Sequence, residues 1–219
     1  MKLHDKRMLK FQKAGLYLVT SQALSKGCTT LEIVRCALMA GVKLIQLREK
    51  DLSISSYLEL ARAVRRLTQP YDCLLIINDR VDVALAVGAD GVHLGQDDFP
   101  IDAARSIAPD LIIGASSHNI EEAKAAEAAG ASYVNIGPLF PTQTKNWTKE
   151  YLGIEGLRKV AESIRLPFTV MGGIKKEHIA DLRAAGAETI ALVTAVTAAT
   201  NPEEAARELL EEIKCHAIN

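Results

Sequence analysis

Strand-like and helix-like segments alternate eight times along this chain, and few folds accommodate that pattern. The strand-like segments are short runs rich in leucine and β-branched residues, and apolar residues recur at helical spacing between them. Strict alternation indicates parallel strands joined by helical crossovers. Eight such units within 219 residues favour an α/β fold of the (β/α)8 TIM-barrel type in a single domain. An open doubly wound sheet is the alternative.

Element boundaries follow from the same patterns. We predict strands over 15–20, 43–50, 73–78, 91–94, 111–114, 132–136, 167–171 and 188–193. We predict helices over 31–40, 53–67, 81–87, 100–107, 120–129, 154–163, 175–184 and 202–214. Residues 1–14 are expected to form a short amphipathic leading helix, and 15–219 the catalytic barrel. Each of Gly41, Gly88, Gly130 and Gly186 ends a helix before a strand, so we expect left-handed turns there at the bottom of the barrel.

Composition limits the function classes. A net charge of −1 gives no reason to expect a nucleic-acid or membrane partner. The chain has no apolar run long enough for a transmembrane helix, and the N-terminus lacks the apolar centre of a signal peptide. The four cysteines lack metal-type CxxC spacing, which favours buried thiols in a reducing cytoplasm. We expect a cytoplasmic protein that acts on small molecules, and the sequence leaves open whether it is a homo-oligomer.

The second predicted strand, 43–50, ends in polar residues on one face. Gln46 and Arg48 lie two positions apart and share that face, and Lys50 comes just beyond the strand end. Glu49 lies on the opposite face as a spacer or a local ion-pair partner. In a parallel barrel the chemistry belongs at the carboxyl ends of the strands, so an amide and two cations there indicate an anion site. A strand that simply enters a solvated charged loop is the alternative.

Polar residues also follow the other predicted strands. They are Asn78, Asp79 and Arg80 after the third, 95–98 after the fourth, 116–118 after the fifth, 137–145 after the sixth, and Gly172-Gly173 and Val193-Thr194 after the last two. Asp79 and Asp98 are the carboxylates best placed to share Mg²⁺ with substrate phosphate oxygens, although helix capping is the ordinary alternative for each. Together with the cations Arg48, Lys50 and Lys145, a metal favours a polyphosphate substrate.

A second anion site is indicated where the seventh and eighth strands end. Gly172-Gly173 and the backbone at Val193-Thr194 occupy the usual phosphate-binding position of these barrels, where amide groups and a helix N-terminus hold a monophosphate. One metal-bound diphosphate and one separate monophosphate indicate a transferase that joins two phosphorylated small molecules.

An ordered set of motifs resembles the thiamine phosphate synthase family. The motifs are 46–50, 78–80, 91–98, 137–145 and 171–174, and the match covers nearly the whole chain after the leading helix. The resemblance implies a (β/α)8 barrel enzyme that joins a hydroxymethylpyrimidine diphosphate to a thiazole phosphate, releasing diphosphate and forming thiamine phosphate. It also implies Mg²⁺ and a largely dissociative substitution, in which diphosphate leaves before the thiazole nitrogen attacks.

The resemblance further implies roles for individual residues. The pyrimidine would be contacted by Gln46, and its diphosphate would be contacted by Arg48, Lys50, Asn78, Ser116 and Lys145. Mg²⁺ would be bound by Asp79 and Asp98. The thiazole phosphate would be held by Thr142, Thr144, Gly173, Val193 and Thr194. Arg48, Lys50 and Lys145 are the expected catalytic cations, since the leaving charge must be stabilised. His118 is not expected to be a general base, because this mechanism has little use for one.

Three positions depart from the usual pattern of the family. Thr194 stands where serine is usual, Ser117 where threonine is usual, and the loop 145–152 carries Trp147 and Tyr151 where a proline- and alanine-containing sequence is common. This loop is expected to be either a lid or a packing surface. Two other functions stay open. One is a thiazole tautomerase-like relative, which would have no diphosphate or metal to hold, and the other is a non-catalytic barrel that binds a phosphorylated ligand.

Overall fold

Eight parallel strands close into a barrel in the computed structural model, which describes residues 1–142, 148 and 150–216. The strands are β1 Leu16–Val19, β2 Leu44–Leu47, β3 Leu74–Asn78, β4 Gly91–Leu94, β5 Ile112–Ser117, β6 Tyr133–Ile136, β7 Phe168–Val170 and β8 Thr189–Leu192. Each strand pairs with the next, and β8 closes on β1 with Leu16 opposite Ile190. The barrel prediction is confirmed, and the open sheet is excluded.

Helices precede and follow the strands, and all except the short helix after β8 come in the order that the sequence predicts. They are α1 Leu3–Gln12, α2 Thr30–Met39, α3 Ile54–Thr68, α4 Val81–Val87, α5 Ile101–Ile107, α6 Ile120–Ala128, α7 Gly153–Glu162, α8 Ile179–Ala184, α9 Thr194–Thr197 and α10 Pro202–Cys215. The glycines expected in left-handed turns all have positive φ, +94° at Gly41, +61° at Gly88, +88° at Gly130 and +89° at Gly186.

The main differences from the sequence prediction concern β2, β5, α8 and α9. β2 ends at Leu47, so the predicted strand over 43–50 is too long, and Arg48 and Lys50 follow the strand. β5 continues to Ser117 because Ser116 and Ser117 still pair with Asn135 and Ile136 of β6. The segment predicted as one helix over 175–184 begins with a 3₁₀ turn at Lys176–His178 before α8 starts. Helix α9 was not predicted, because four residues are too few to show a helical period.

Side chains alternate between two apolar cores, as parity in a strand requires. In β2, Ile45 and Leu47 pack in the layer between barrel and helices, whereas Leu44 lies inside the barrel. The interior contains few apolar side chains above Leu44 and Ile76, because polar groups take the inward positions nearer the carboxyl ends of the strands. The barrel interior therefore consists of an apolar floor and a polar cavity above it.

The first helix closes the bottom of the barrel. Phe11 of α1 is 1% exposed, and the centroid of its ring lies 4.4 Å from that of Tyr133 and 6.3 Å from that of Tyr17. The Tyr133 ring needs Gly114 as its neighbour on β5, since a Cβ there would lie 2.2 Å from the ring. Three aromatic rings therefore fill the floor where a parallel barrel would otherwise be open.

The cysteines differ in exposure. Cys73 is buried, Cys28 and Cys36 are partly buried, and Cys215 is exposed; all four are free thiols. The expectation of buried thiols is wrong for Cys215, because the last turn of α10 faces solvent. Among the described residues, the structure contains no helix with the length and apolar character needed to span a membrane.

We predict that Phe11→Ala lowers the free energy of unfolding by about 3 kcal/mol, because it leaves a cavity under Tyr17 and Tyr133. Leu9→Ala on the same helix is the matched control: Leu9 is 48% exposed, and its loss should cost less than about 0.5 kcal/mol. Urea denaturation measures both. Equal effects of the two substitutions would show that α1 does not seal the barrel.

Candidate functional site

A cavity of about 840 Å³ opens at the carboxyl ends of the strands. Every predicted site residue within the described part of the chain lines it: Gln46, Arg48, Lys50, Asn78, Asp79, Asp98, Ser116, Thr142, Gly173, Val193 and Thr194. Thr144 and Lys145 lie outside the described residues, as does Trp147. One cavity thus brings together residues from seven different strand ends, which is what barrel closure predicts.

The tip of β2 is held by hydrogen bonds to the neighbouring β1 loop. The backbone N–H of Arg48 donates to Thr20 Oγ1 at 3.0 Å. Glu49 accepts from Thr20 Oγ1 at 2.9 Å, Thr30 Oγ1 at 2.8 Å and the Gln22 N–H at 2.9 Å. Among the described residues, Glu49 is therefore an acceptor for neutral donors and forms no ion pair. By fixing the backbone on one side of the strand tip, it leaves Arg48 and Lys50 facing the cavity.

Asp79 and Asp98 lie side by side at the ends of β3 and β4. The Asp79 backbone is left-handed with φ of 62°, and its N–H donates to the His93 carbonyl at 2.8 Å. Asp98 is oriented by the Gly95 N–H, which donates to its Oδ2 at 2.6 Å. Burial, then a hydrogen bond with Asp98 and the charge of Asp98, raise the pKa of Asp79 to about 6. Lys50 and Arg48 act in the opposite direction but are too weak to offset these effects.

Two adjacent carboxylates, one of them with a raised pKa, form a donor set suited to a hard divalent cation. No cluster of three or more potential metal-ligating side chains occurs within 1–142, 148 and 150–216. A divalent cation held by Asp79 and Asp98 would take its other ligands from water or substrate oxygens. Mg²⁺ is usually bound in this way, with one or two carboxylates and several waters or phosphate oxygens.

The opposite side of the cavity is built from backbone. Gly172 and Gly173 both have positive φ, 98° and 64°, and a Cβ on Gly173 would lie 2.3 Å from the Pro141 carbonyl oxygen. Helix α9 begins directly after β8, and Val193, Thr194 and Ala195 at its start line the cavity. A left-handed glycine pair beside a helix N-terminus is an arrangement suited to a phosphate group.

A chain of hydrogen bonds runs across the floor of the cavity. Gln46 Nε2 donates to the Tyr17 hydroxyl at 2.7 Å, and the Tyr17 and Tyr133 hydroxyls are 2.9 Å apart. The Tyr133 hydroxyl lies 2.9 Å from His93 Nδ1, and His93 Nε2 lies 3.0 Å from Ser116 Oγ. The chain thus joins Gln46 on one side of the cavity to Ser116 on the other through the buried rings.

The side chains in this hydrogen-bond chain are neutral, which suits their burial. Burial lowers the pKa of His93 to about 4 and raises the pKa values of Tyr17 and Tyr133. Because Gln46 Nε2 donates to the Tyr17 hydroxyl, every bond can run in the same direction. The Tyr17 hydroxyl then donates to the Tyr133 hydroxyl, the Tyr133 hydroxyl donates to His93 Nδ1, and His93 Nε2–H donates to Ser116 Oγ. Every hydroxyl and ring nitrogen then has a partner, which a buried polar group requires.

The sequence analysis missed His93, Tyr133 and Asn135 as residues of the site. Each lies at an inward position of β4 or β6, and Asn135 Oδ1 accepts from Thr169 Oγ1 at 2.8 Å. The parity argument applied to β2 would have found them had it been extended to the other strands. His118 lines the cavity, and its Nδ1 lies 2.6 Å from Glu122 Oε2.

Comparisons with known proteins agree on one family. The family model for thiamine monophosphate synthase matches residues 16–196. The thiamine-phosphate synthase of Archaeoglobus fulgidus is 47% identical over 91% of this chain and 93% of its own length. The corresponding Pyrococcus abyssi protein is 45% identical over 93% and 96%. The structure of a thiamine phosphate pyrophosphorylase from Pyrococcus furiosus superposes with a TM-score of 0.87 at 41% identity, covering 95% of this chain and 98% of that one.

The lowered pKa of His93 predicts a loss of stability in acid. The unfolded chain takes up a proton near pH 6.5, whereas the folded chain does so only near pH 4. Stability is therefore complete above pH 6.5 and is lost as the pH falls towards 4, by about 2 kcal/mol at pH 5. We expect His93→Gln to remove that part of the pH dependence in urea denaturation at pH 7 and pH 5. An unchanged pH dependence in His93→Gln would contradict the prediction.

Proposed function

This chain belongs to the thiamine monophosphate synthase family and is a transferase with thiamine-phosphate synthase activity, and on that premise we propose how its residues divide the reaction. The proposed substrates are 4-amino-2-methyl-5-(diphosphooxymethyl)pyrimidine and a thiazole phosphate, and the products are thiamine phosphate and diphosphate. The observation that carries the proposal is the pairing of Asp79 and Asp98 opposite a glycine-rich backbone site in one cavity.

The diphosphate end of the pyrimidine substrate is assigned to the wall formed by β2 to β5. In this assignment, Arg48, Lys50, Asn78 and Ser116 contact the diphosphate, together with Lys145, and Gln46 contacts the pyrimidine. Asp79 and Asp98 hold Mg²⁺, which when bound offsets the negative charge that collects on the leaving group. The described cations Arg48 and Lys50 supply fixed positive charge at the same place. Such preorganised charge is the usual source of most catalysis in dissociative reactions.

The thiazole phosphate is assigned to the opposite wall. Thr142, Gly173, Val193 and Thr194, together with Thr144, hold its phosphate, so that the thiazole nitrogen faces the methylene carbon of the pyrimidine. Breaking the carbon–oxygen bond to diphosphate leaves a pyrimidine methylene cation, and the nitrogen lone pair forms the new bond to it. No protein nucleophile is needed, and catalysis comes from charge stabilisation and from holding the two partners in line. Thr194 supplies the same kinds of donor as the serine usual at this position.

The paired carboxylates favour this reaction over the two alternatives. A tautomerase-like relative or a non-catalytic phosphate-binding barrel would gain nothing from two adjacent carboxylates, Asp79 with a raised pKa and Asp98 beside it, close to Lys50 and Arg48. We also propose that the enzyme acts in the cytoplasm, which its four free thiols support. Its partners in this proposal are its two small-molecule substrates.

The direct test is product formation from the two proposed substrates, followed by chromatography. We expect thiamine phosphate and diphosphate in equal amounts when Mg²⁺ is present, and none when a chelator removes it, because uncompensated diphosphate is a poor leaving group. Product that forms at the same rate without divalent cation would contradict the metal assignment. A protein that makes no product in either condition would overturn the proposal as a whole.

Lys50→Ala and Asp98→Ala should each reduce kcat/KM by about 10²–10³-fold, because each removes charge that acts on the leaving group. Their free energies of unfolding should change by less than about 1 kcal/mol, since Lys50 is exposed and Asp98 carries an unfavourable interaction with Asp79. Lys43→Ala, at the amino-terminal end of the same strand, is the matched control and should stay within about twofold of wild type. Parallel losses of activity and thermal stability would instead indicate structural roles.

A further inference from the structure

We propose that a ring stack between Phe140 and His178 joins the loops after β6 and β7 into one unit, and that this unit positions the monophosphate-binding groups. His178 is then a positioning residue for the thiazole phosphate. The inference rests on the proposed function, because Thr142 on the first loop and Gly173 on the second are both assigned to that phosphate.

The stack itself is close and nearly parallel. The ring centroids of Phe140 and His178 are 3.9 Å apart, and the ring planes differ by 23°. Both residues are partly buried, and Phe140 also packs against the core between barrel and helices. Aromatic pairs at this separation contribute stability beyond the area that they bury. The contact therefore links a loop residue to the 3₁₀ turn that precedes α8.

Backbone bonds extend this link towards the cavity. The Leu139 N–H donates to the Met171 carbonyl at 3.0 Å, and the Phe140 N–H donates to the Gly172 carbonyl at 3.0 Å. The next residue, Gly173, lies so close to the first loop that a Cβ would be 2.7 Å from the Phe140 carbonyl oxygen. The two loops are thus in backbone contact up to the point where Pro141, Thr142 and Gly173 line the cavity.

The orientation of the His178 ring is fixed from the other side. The Lys175 N–H donates to His178 Nδ1 at 3.1 Å, and the His178 N–H donates to the Lys175 carbonyl at 3.1 Å. Lys175 lines the cavity next to Ile174 and Gly173. The imidazole therefore has two separable functions: its nitrogen closes the 3₁₀ turn, and its face supports Phe140. Substitutions can remove one function and keep the other.

His178→Asn retains an acceptor for the Lys175 N–H but loses the ring, whereas His178→Phe retains the ring but loses the acceptor. If the stack positions the phosphate site, His178→Asn and Phe140→Leu should each raise the KM for thiazole phosphate about five- to tenfold, and His178→Phe should stay within about twofold of wild type. The KM for the pyrimidine diphosphate should change less than about threefold, because Arg48, Lys50 and the carboxylates lie on other strand ends. The variant that combines His178→Asn with Phe140→Leu should have the same KM for thiazole phosphate as either single variant, because the two substitutions remove the same contact.

Calorimetric titration with thiazole phosphate alone measures the same effect without turnover, so the inference is tested even if the wild-type protein makes no product. We expect the dissociation constant to weaken in His178→Asn and Phe140→Leu and to be kept in His178→Phe, while circular dichroism shows all three to be folded. The inference is overturned if His178→Asn binds thiazole phosphate as tightly as wild type does, or if His178→Phe binds it as weakly as His178→Asn does. It is also overturned if the affinities for the two substrates fall by the same factor. Failure of product formation alone would count against the proposed function and not against this inference.

Discussion

The closure of eight short parallel strands on one another determines where every side chain of this barrel can lie. Closure sends alternate side chains of every strand into a single interior and places all carboxyl ends on one rim. The lower interior is filled by Phe11, Tyr17 and Tyr133, which leaves the upper interior free to be polar. Groups far apart in the chain, such as Asp79 and Thr194, therefore line the same cavity.

The residues at the floor of that cavity both pack in the apolar core and form hydrogen bonds with residues that line the cavity. The Tyr133 ring packs on Phe11 below, while its hydroxyl takes part in the hydrogen-bond chain from Gln46 to Ser116 above. A neutral His93 suits this position, since a buried charge there would oppose any cation held by Asp98. Packing and hydrogen bonding thus fix the side chains of Gln46 on β2 and Ser116 on β5 from below. The side chains at the strand ends therefore lie above an ordered layer.

Periodicity and parity were sufficient to predict the barrel, its turns and the strand ends that line the cavity. Features decided by tertiary contact were not predictable in this way. β5 runs past Gly114 because β6 pairs with it, α9 is too short to have a period, and Glu49 finds its donors on the β1 loop and α2. The stack of Phe140 on His178 joins residues from two different strand–helix units, and no local pattern marks it. The sequence indicates which residues lie at the carboxyl ends of the strands, and tertiary packing determines which of those residues are in contact.

The central claim is that Asp79 and Asp98 form half of a metal site that the substrate diphosphate completes. Titration calorimetry of the pyrimidine diphosphate into the protein, with and without Mg²⁺ and in the absence of thiazole phosphate, tests it most directly. We expect at least about tenfold tighter binding with Mg²⁺, and loss of that difference in Asp98→Asn. Equal affinity with and without Mg²⁺, or a difference that persists in Asp98→Asn, would contradict it.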